Sequence, residues 1–358
     1  MNSHRPTRTA PSGRRAGHLA GLQWGLVSLA ALSLSLSGGA STQAAAATPT
    51  VSRCDSECLN NLLSRYLDAL VSHDAKRLPW AKSARFSENN VALKIGDGLW
   101  QTASGVSRSQ GATFIDAHAG SVGYVGVIEE HGHPAYFVLT LKESAGEITE
   151  ADTIVHRLVV MSSGTPGDNG VRIGPNEDPT KFQLDPMFED VVPVGLRTNR
   201  QTMINLADGY FKTLQMNNGR VFTRFDDSCM RWENGQMTAG QPTPERPKLQ
   251  GCELQMKLGE FRRITRARDR QYPVIDEAHG VVIAQVFLDH EAVLTEYELT
   301  DGRIMNAGHV APQTWYMFET FKIIKGKIYR ISAVMESVPY YMPACCALRH
   351  GSPKPPRG

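Results

Sequence analysis

The sequence predicts an α+β protein made of two tandem halves. The first observation is the order of patterns, because an amphipathic helix followed by a run of strand-like segments occurs twice. A helix followed by mostly antiparallel strands is an α+β order. The second observation is an internal repeat that relates residues of the two halves. The third is size, since 358 residues with 41% hydrophobic content can form two hydrophobic cores.

Residues 1–47 predict a cleaved signal peptide. A basic start containing Arg14-Arg15 precedes an apolar run over 26–36, and small residues follow up to Ala47. This order is typical of a secretory leader, and the run is about half of the ~20 residues that a membrane-spanning helix needs. We therefore expect an exported protein, periplasmic or extracellular, with no stable membrane span after cleavage. An uncleaved amphipathic anchor is the alternative, and the choice between Sec and twin-arginine export stays open.

The chain without its leader is close to neutral. Residues 1–47 contain four of the 38 basic residues and none of the 36 acidic ones, which leaves a net charge of −2. This balance gives no electrostatic footprint for nucleic acid, so we expect no nucleic-acid partner.

Six cysteines in an exported chain predict disulfides. Cys54 and Cys58 lie one helical turn apart and could bond to Cys345 and Cys346, which would tie the two chain ends together. A Cys229–Cys252 bond would close a loop in the second half. The sequence alone does not settle the pairing. We expect no metal site, because a spacing of three residues between cysteines is uncommon for zinc.

The first half, residues 48–161, begins with a predicted helix over 56–75. Its leucines recur at three- and four-residue steps, and Asp55 is a candidate N-cap. Residues 162–198 are rich in Gly, Pro, Asp and Asn, which predicts a linker. Strands of this half are predicted at 84–94, 112–117, 121–129, 134–142 and 147–160.

The second half, residues 199–344, repeats the order with a predicted helix over 199–215. Residues 345–358 predict a loose tail. Strands are predicted at 220–224, 228–233, 260–270, 273–277, 281–289, 313–324 and 327–337.

The internal repeat has a displacement that grows in two steps. This growth is what a duplication with two later insertions would give, at about 238–257 and 291–312. The matched positions are Tyr66 with Tyr210 (144 residues apart), Glu88-Asn89 with Glu233-Asn234 (145), Asp116 with Asp276 (160) and Tyr136 with Tyr316 (180).

Residues 78–100 carry a family resemblance, through Arg85-Phe86-Ser87-Glu88-Asn89 and Gly96-Asp97-Gly98-Leu99-Trp100. The second half shares it through Arg268-Asp269-Arg270 and Pro273-Val274-Ile275-Asp276. The chain resembles secreted fungal and bacterial proteins with a domain of unknown function, related to the SnoaL-like, nuclear transport factor 2-like superfamily.

The resemblance implies two cone-shaped barrels, each a helix packed in a curved, mostly antiparallel sheet. It also implies that the two sheets pack face to face as a pseudo-dimer within one chain; a further homodimer stays open. The superfamily contains isomerases, cyclases, dehydratases and lyases as well as non-catalytic binding modules. It supplies no catalytic motif to transfer to this chain.

Familiar nucleotide, nucleophile and zinc motifs are absent from the sequence. Acid–base chemistry without a cofactor is what remains. Strand alternation places Glu319 in an apolar row with Trp315, Met317 and Phe321, where burial would raise the pKa of its carboxyl. We therefore assign Glu319 as a general base supported by Tyr316 or Asp276. The alternatives are a solvated or arginine-paired Glu319 and a turn-capping Asp276.

The candidate ligand-binding residues are aromatic or polar side chains of the second half. They suit a small hydrophobic, aromatic molecule. The competing roles are core packing for the aromatic residues, turn formation for Glu233-Asn234 and an exposed strand end for Glu336. The sequence thus predicts a lyase, dehydratase or isomerase, or else a non-catalytic binding or structural protein. The candidates are Trp315, Trp232, Glu233, Asn234, Tyr210 and Glu336.

Overall fold

The computed structural model describes residues 54–158, 160–161, 171–172, 178–244, 246–308 and 311–345. The predicted leader and tail, apart from Cys345, lie outside the described residues. The chain has the predicted α+β fold, with two tandem halves that each contain a helix and a six-stranded mixed sheet.

The first half begins with helix α1, which the Asp55 side chain caps by accepting from the Cys58 N–H at 2.9 Å. The sheet order is β2-β1-β6-β5-β4-β3, with β1 parallel to β6 and the other pairs antiparallel. The elements are α1 (Ser56–Val71), β1 (Trp80–Glu88), β2 (Val91–Leu93), α2 (Leu99–Thr102), β3 (Ala103–Asp116), β4 (Ser121–Glu130), β5 (His133–Ser144) and β6 (Glu147–Arg157).

The second half repeats this topology after a short pair of strands, β7 (Val160–Met161) and β8 (Val171–Arg172). Its order is β10-β9-β16-β15-β12-β11, again with one parallel pair, β9 and β16. The elements are α3 (Arg200–Met216), β9 (Phe225–Glu233), β10 (Gln236–Ala239), α4 (Cys252–Leu258), β11 (Arg266–Asp276), β12 (Val281–His290), β13 (Glu296–Glu298), β14 (Ile304–Asn306), β15 (Gln313–Ile324) and β16 (Lys327–Val338).

Several predicted boundaries were wrong for local reasons. The predicted strand 84–94 is a hairpin, because Asn89 and Asn90 adopt positive φ angles of 48° and 64° and turn the chain. Residues 220–224 form no strand, and β11 runs unbroken through two predicted strands. The predicted first helix ends at Val71, and a 3-10 turn at Ala75–Arg77 follows.

Each half has its own core between helix and sheet, and a third apolar cluster lies between the two sheets. In that third cluster the outer sheet faces pack against each other, for example through Val138 and Phe318. The halves thus form a pseudo-dimer within one chain. The predicted linker also contributes buried residues to this cluster, because Phe182, Leu184 and Phe188 fill one side of it.

Matched residues of the two halves contact each other across the interface. Asp276 accepts from the backbone N–H of Ile115 at 2.9 Å, and Asp116 accepts from that of Ile275 at 3.0 Å. His156 and Glu336, also at matched positions, lie 2.7 Å apart. Such reciprocity is expected of an interface with approximate two-fold symmetry.

Two disulfides are present among the described residues, Cys54–Cys58 and Cys229–Cys252. The possible bonds from Cys54 and Cys58 to Cys345 and Cys346 do not form, because Cys54 and Cys58 bond to each other at the N-terminal end of α1. Cys345 is disulfide-bonded as well, to none of these four; Cys346 lies outside the described residues. In the described part of the chain, no helix is long and apolar enough to cross a membrane, and no group of side chains could hold a metal ion.

Candidate active site in the second half

The candidate site lies inside the second half, on the face of β15 that points toward α3. Alternation along the strand places Met317 and Phe321 in the core of this half, and Tyr316 and Phe318 in the cluster between the sheets. Glu319 falls on the inner face and is 1% exposed. A carboxyl group therefore lies in a position that is otherwise apolar.

Glu319 lacks the hydrogen bonds that a buried carboxyl normally has. Neither of its oxygens has a hydrogen-bond partner among the described residues. Burial raises the pKa of Glu319 to about 8 and the charge of Glu233 adds to the rise, while the Arg231 guanidinium and the nearby Tyr210 hydroxyl oppose it. Burial also raises the pKa of Tyr210 well above its usual value, and the charge of Glu319 adds to this. Glu319 is consequently mostly protonated at neutral pH.

Arg231 is the buried cation of the site, at 2% exposure. Its Nε lies 3.0 Å from the Thr238 hydroxyl and 3.1 Å from Oε1 of Glu233, and its Nη2 donates to Oε1 of Gln255 at 2.7 Å. Its guanidinium lies 4.9 Å from the centre of the Phe261 ring. Its Nη1 has no partner among the described residues. The arginine is thus held firmly on one side, with one donor left over.

A small cavity of about 20 Å³ adjoins Glu319. That volume is room for about one water molecule. The matching region of the first half is filled differently, because the neighbour of Glu319 across the strands is Ala284, whereas the neighbour of Leu139 is Tyr124. The structure brings four of the sequence-predicted residues together around this cavity: Glu319, Tyr210, Glu233 and Trp315.

The two predicted partners of Glu319 were wrong. Tyr316 lies on the opposite face of β15, where its hydroxyl accepts from the Gln285 side chain at 2.6 Å. Asp276 lies at the interface between the halves, where it bonds to the backbone of Ile115 and to His279 at 2.8 Å. Despite burial, these hydrogen bonds lower the pKa of Asp276, which keeps it ionised as a structural acceptor.

Three predicted ligand-binding residues also lie elsewhere. Asn234, with φ of 44°, forms two hydrogen bonds to the backbone of Met335, as Asn89 does to that of Val155. Glu336 pairs with His156 across the interface. Trp232 follows Arg231 on β9 and so points to the other face of that strand.

Sequence reasoning missed Arg231 and Gln255. The signal for Arg231 was present in the internal repeat, where Arg231 is equivalent to Phe86 of the first half, 145 residues earlier. A buried arginine in place of a core phenylalanine marks a changed site. Gln255 had no such signal, since it comes from α4, near an insertion that the first half lacks.

Comparisons with known proteins identify a domain in the second half but do not indicate an activity. A family model described as a domain of unknown function (DUF8021) matches residues 196–335, most of the second half. No curated protein matches the sequence. Among solved structures, AclR from Streptomyces galilaeus is similar at 9% identity and a TM-score of 0.25, over 38% of this chain and 91% of that one.

A second similar structure is an NTF2-like protein from Cytophaga hutchinsonii. It has 14% identity and a TM-score of 0.22, over 38% of this chain and 98% of that protein. Scores this low say nothing about activity.

Proposed function

We propose that the second half is a small-molecule site in which Glu319 donates and accepts a proton. The reaction would be a lyase, dehydratase or isomerase step without a cofactor, on a hydrophobic aromatic compound. The observation that supports this proposal is the buried carboxyl of Glu319, which adjoins a cavity and has no hydrogen-bond partner among the described residues. A carboxyl whose pKa lies near the working pH is suited to general acid–base catalysis.

The surrounding residues suit both protonation states of Glu319. At pH 7 a pKa of about 8 leaves the carboxyl mostly protonated, with roughly a tenth ionised and able to take a proton from carbon. The charge of Arg231 stabilises that ionised form. A substrate ring would displace the half-buried side chains of Trp315 or Met335, since the present cavity admits only water.

Export remains part of this proposal. Two disulfides among the described residues support an oxidising compartment, where such bonds persist. The expected partner is a small hydrophobic molecule, and a homodimer of the whole chain is an open addition.

Deuterium exchange gives a direct test. The protein is incubated in D₂O with a panel of aryl ketones, and NMR follows deuterium incorporation at the carbon next to the carbonyl. We expect exchange catalysed by the natural protein and lost in Glu319→Gln, which cannot move a proton. Tyr316→Phe is the matched control, because it changes the opposite face of the same strand. Exchange that persists in Glu319→Gln contradicts the proposal.

A non-catalytic function is the second candidate, and the size of the cavity favours it. A volume of about 20 Å³ leaves no room for a ring unless side chains move. If ligands from the panel bind and shift the Trp315 signals without exchange, the site is a binding module. If none binds and the Glu319 pKa is nevertheless raised, the chain is a structural protein with a buried acid.

A further inference from the structure

The connection between the halves breaks their approximate two-fold symmetry. Its described residues 178–198 run along one side of the interface only. There Asp185 pairs with Arg330 at 2.9 Å, and the carbonyl of Asp190 accepts from the Lys322 ammonium at 2.6 Å. The ring of Phe182 packs edge-on against Tyr136, at 5.3 Å between ring centres. A single connection can fill only one of two symmetry-related spaces.

The matching space on the other side is an open cavity of about 220 Å³. The internal repeat identifies this cavity as the matching space. Two of its residues, Lys142 and Glu150, are equivalent to Lys322 and Arg330, which lie 180 residues later and contact the connection. Its far wall is Gln271 and Tyr272 of β11. The cavity therefore lies between the two halves, well apart from Glu319, which faces the interior of the second half.

The cavity wall contains two basic residues, Arg85 and the exposed Lys142, and two acidic ones, Glu150 and Asp152. Arg85 and Glu150 pair with each other at 2.8 Å. Asp152 has no arginine, lysine or histidine within ion-pair distance among the described residues, and only the Ser87 hydroxyl donates to its Oδ1, at 2.5 Å. Burial raises the pKa of Asp152 and the charge of Glu150 adds to the rise, while the Ser87 hydrogen bond and the charge of Arg85 oppose it. The matched residue beneath the connection is Ser332, which carries no charge.

We propose that this cavity binds a small organic cation, a primary amine whose ammonium group pairs with the Asp152 carboxylate. Besides its charged groups the wall offers hydrogen-bonding side chains, Thr140 and Gln285, and the ring of Tyr272. These groups suit the rest of a compact, partly polar amine. The volume of about 220 Å³ lies below the ~300–1,000 Å³ of most small-molecule pockets, so it suits a small ligand.

Calorimetry with defined probes tests this proposal. The probes are 1,4-diaminobutane, agmatine and benzylamine, and the control for each is an alcohol of the same shape. We expect saturable binding of at least one amine and no binding of its alcohol. Asp152→Ser introduces the residue found at the equivalent position of the second half, Ser332. It should weaken the binding of that amine at least tenfold, or about 1.4 kcal/mol. Glu319→Leu should leave its affinity unchanged, so failure of the proposed active site does not affect this result.

A second variant covers the case in which Asp152→Ser does not fold. Ala119→Phe keeps the carboxylate and fills the rim of the cavity, so it should also abolish amine binding. Equal binding of amine and alcohol, full affinity in either variant, or no saturable binding of any amine at roughly millimolar concentration each overturns the proposal.

Discussion

The two halves have the same topology but different interiors. Where the first half packs Phe86 of β1 near Leu139 of β5, the second half buries Arg231 of β9 near Glu319 of β15. The strand register is the same in both halves at these positions. Leu139 pairs with Thr153, and the residues 180 positions later, Glu319 and Ala333, also pair. The same backbone therefore supports either an apolar pair or an arginine near a carboxyl group.

This difference shows that the fold does not require the buried charges. The first half has the apolar arrangement and keeps the same sheet order. In other proteins, replacing a buried ion pair by well-packed apolar residues is often neutral or stabilising, whereas removing one partner is costly. Stability of the fold alone thus does not explain Arg231 and Glu319, which is consistent with the proposed site.

A large effect is expected when Arg231 alone is replaced by the matching residue of the first half. Arg231→Phe leaves Glu233 without its ion-pair partner and Gln255 without its donor, so the free energy of unfolding should fall by about 2–3 kcal/mol. Adding Glu319→Leu should recover part of that loss, which a double-mutant cycle by chemical denaturation measures. A double variant as unstable as Arg231→Phe alone would mean that the second half cannot accept an apolar interior.

A smaller difference is expected between the disulfides of the two halves. Cys229–Cys252 closes a separation of 23 residues and Cys54–Cys58 one of four. Loop-closure entropy then gives a loss of about 3 kcal/mol for Cys229→Ser with Cys252→Ser, and about 2 kcal/mol for the serine variants of the short bond. Thermal unfolding of both double variants checks the order, and equal losses would contradict it.

A third effect is expected at Glu319 and depends on pH, because its size is set by how far the folded pKa lies above the unfolded value. Its folded pKa of about 8 lies above the unfolded value, so the folded state binds the proton more tightly. Unfolding free energy should therefore decrease as pH rises from about 4.5 to 8, with a slope of at most about 1.4 kcal/mol per pH unit. Glu319→Leu should lack this decrease, and parallel curves for the two proteins would show that the carboxyl is solvated.

The sequence predicted the α+β order of elements and the inner position of Glu319 because both follow from periodicity, whereas the cone-shaped barrels were an implication of the family resemblance. Strand alternation settles which face of β15 a residue occupies, and the structure places Glu319 accordingly. The same rule excluded Tyr316, three residues earlier, since an odd spacing in a strand puts two side chains on opposite faces. That error came from considering proximity in sequence and not the direction of the side chain.

Other features depend on contacts between distant segments, which one sequence does not reveal. Asp276 recurs in both halves because it and Asp116 bond to each other's strands, a relation visible only once the sheets are packed. The composition of residues 162–198 predicts a linker, yet Phe182 and Phe188 are buried in the interface. Gly, Pro and Asp show that a segment is irregular, not that it is unpacked.

The single covalent connection has a consequence for how such a protein can change over evolutionary time. In a dimer of identical chains, any substitution occurs in both subunits. A buried charge that creates a site in one subunit therefore also destabilises the other. Here a change such as Phe to Arg at one of two equivalent places enters only once. One half can then contain a less stable interior with a site, while the other half keeps a well-packed apolar core that stabilises the protein.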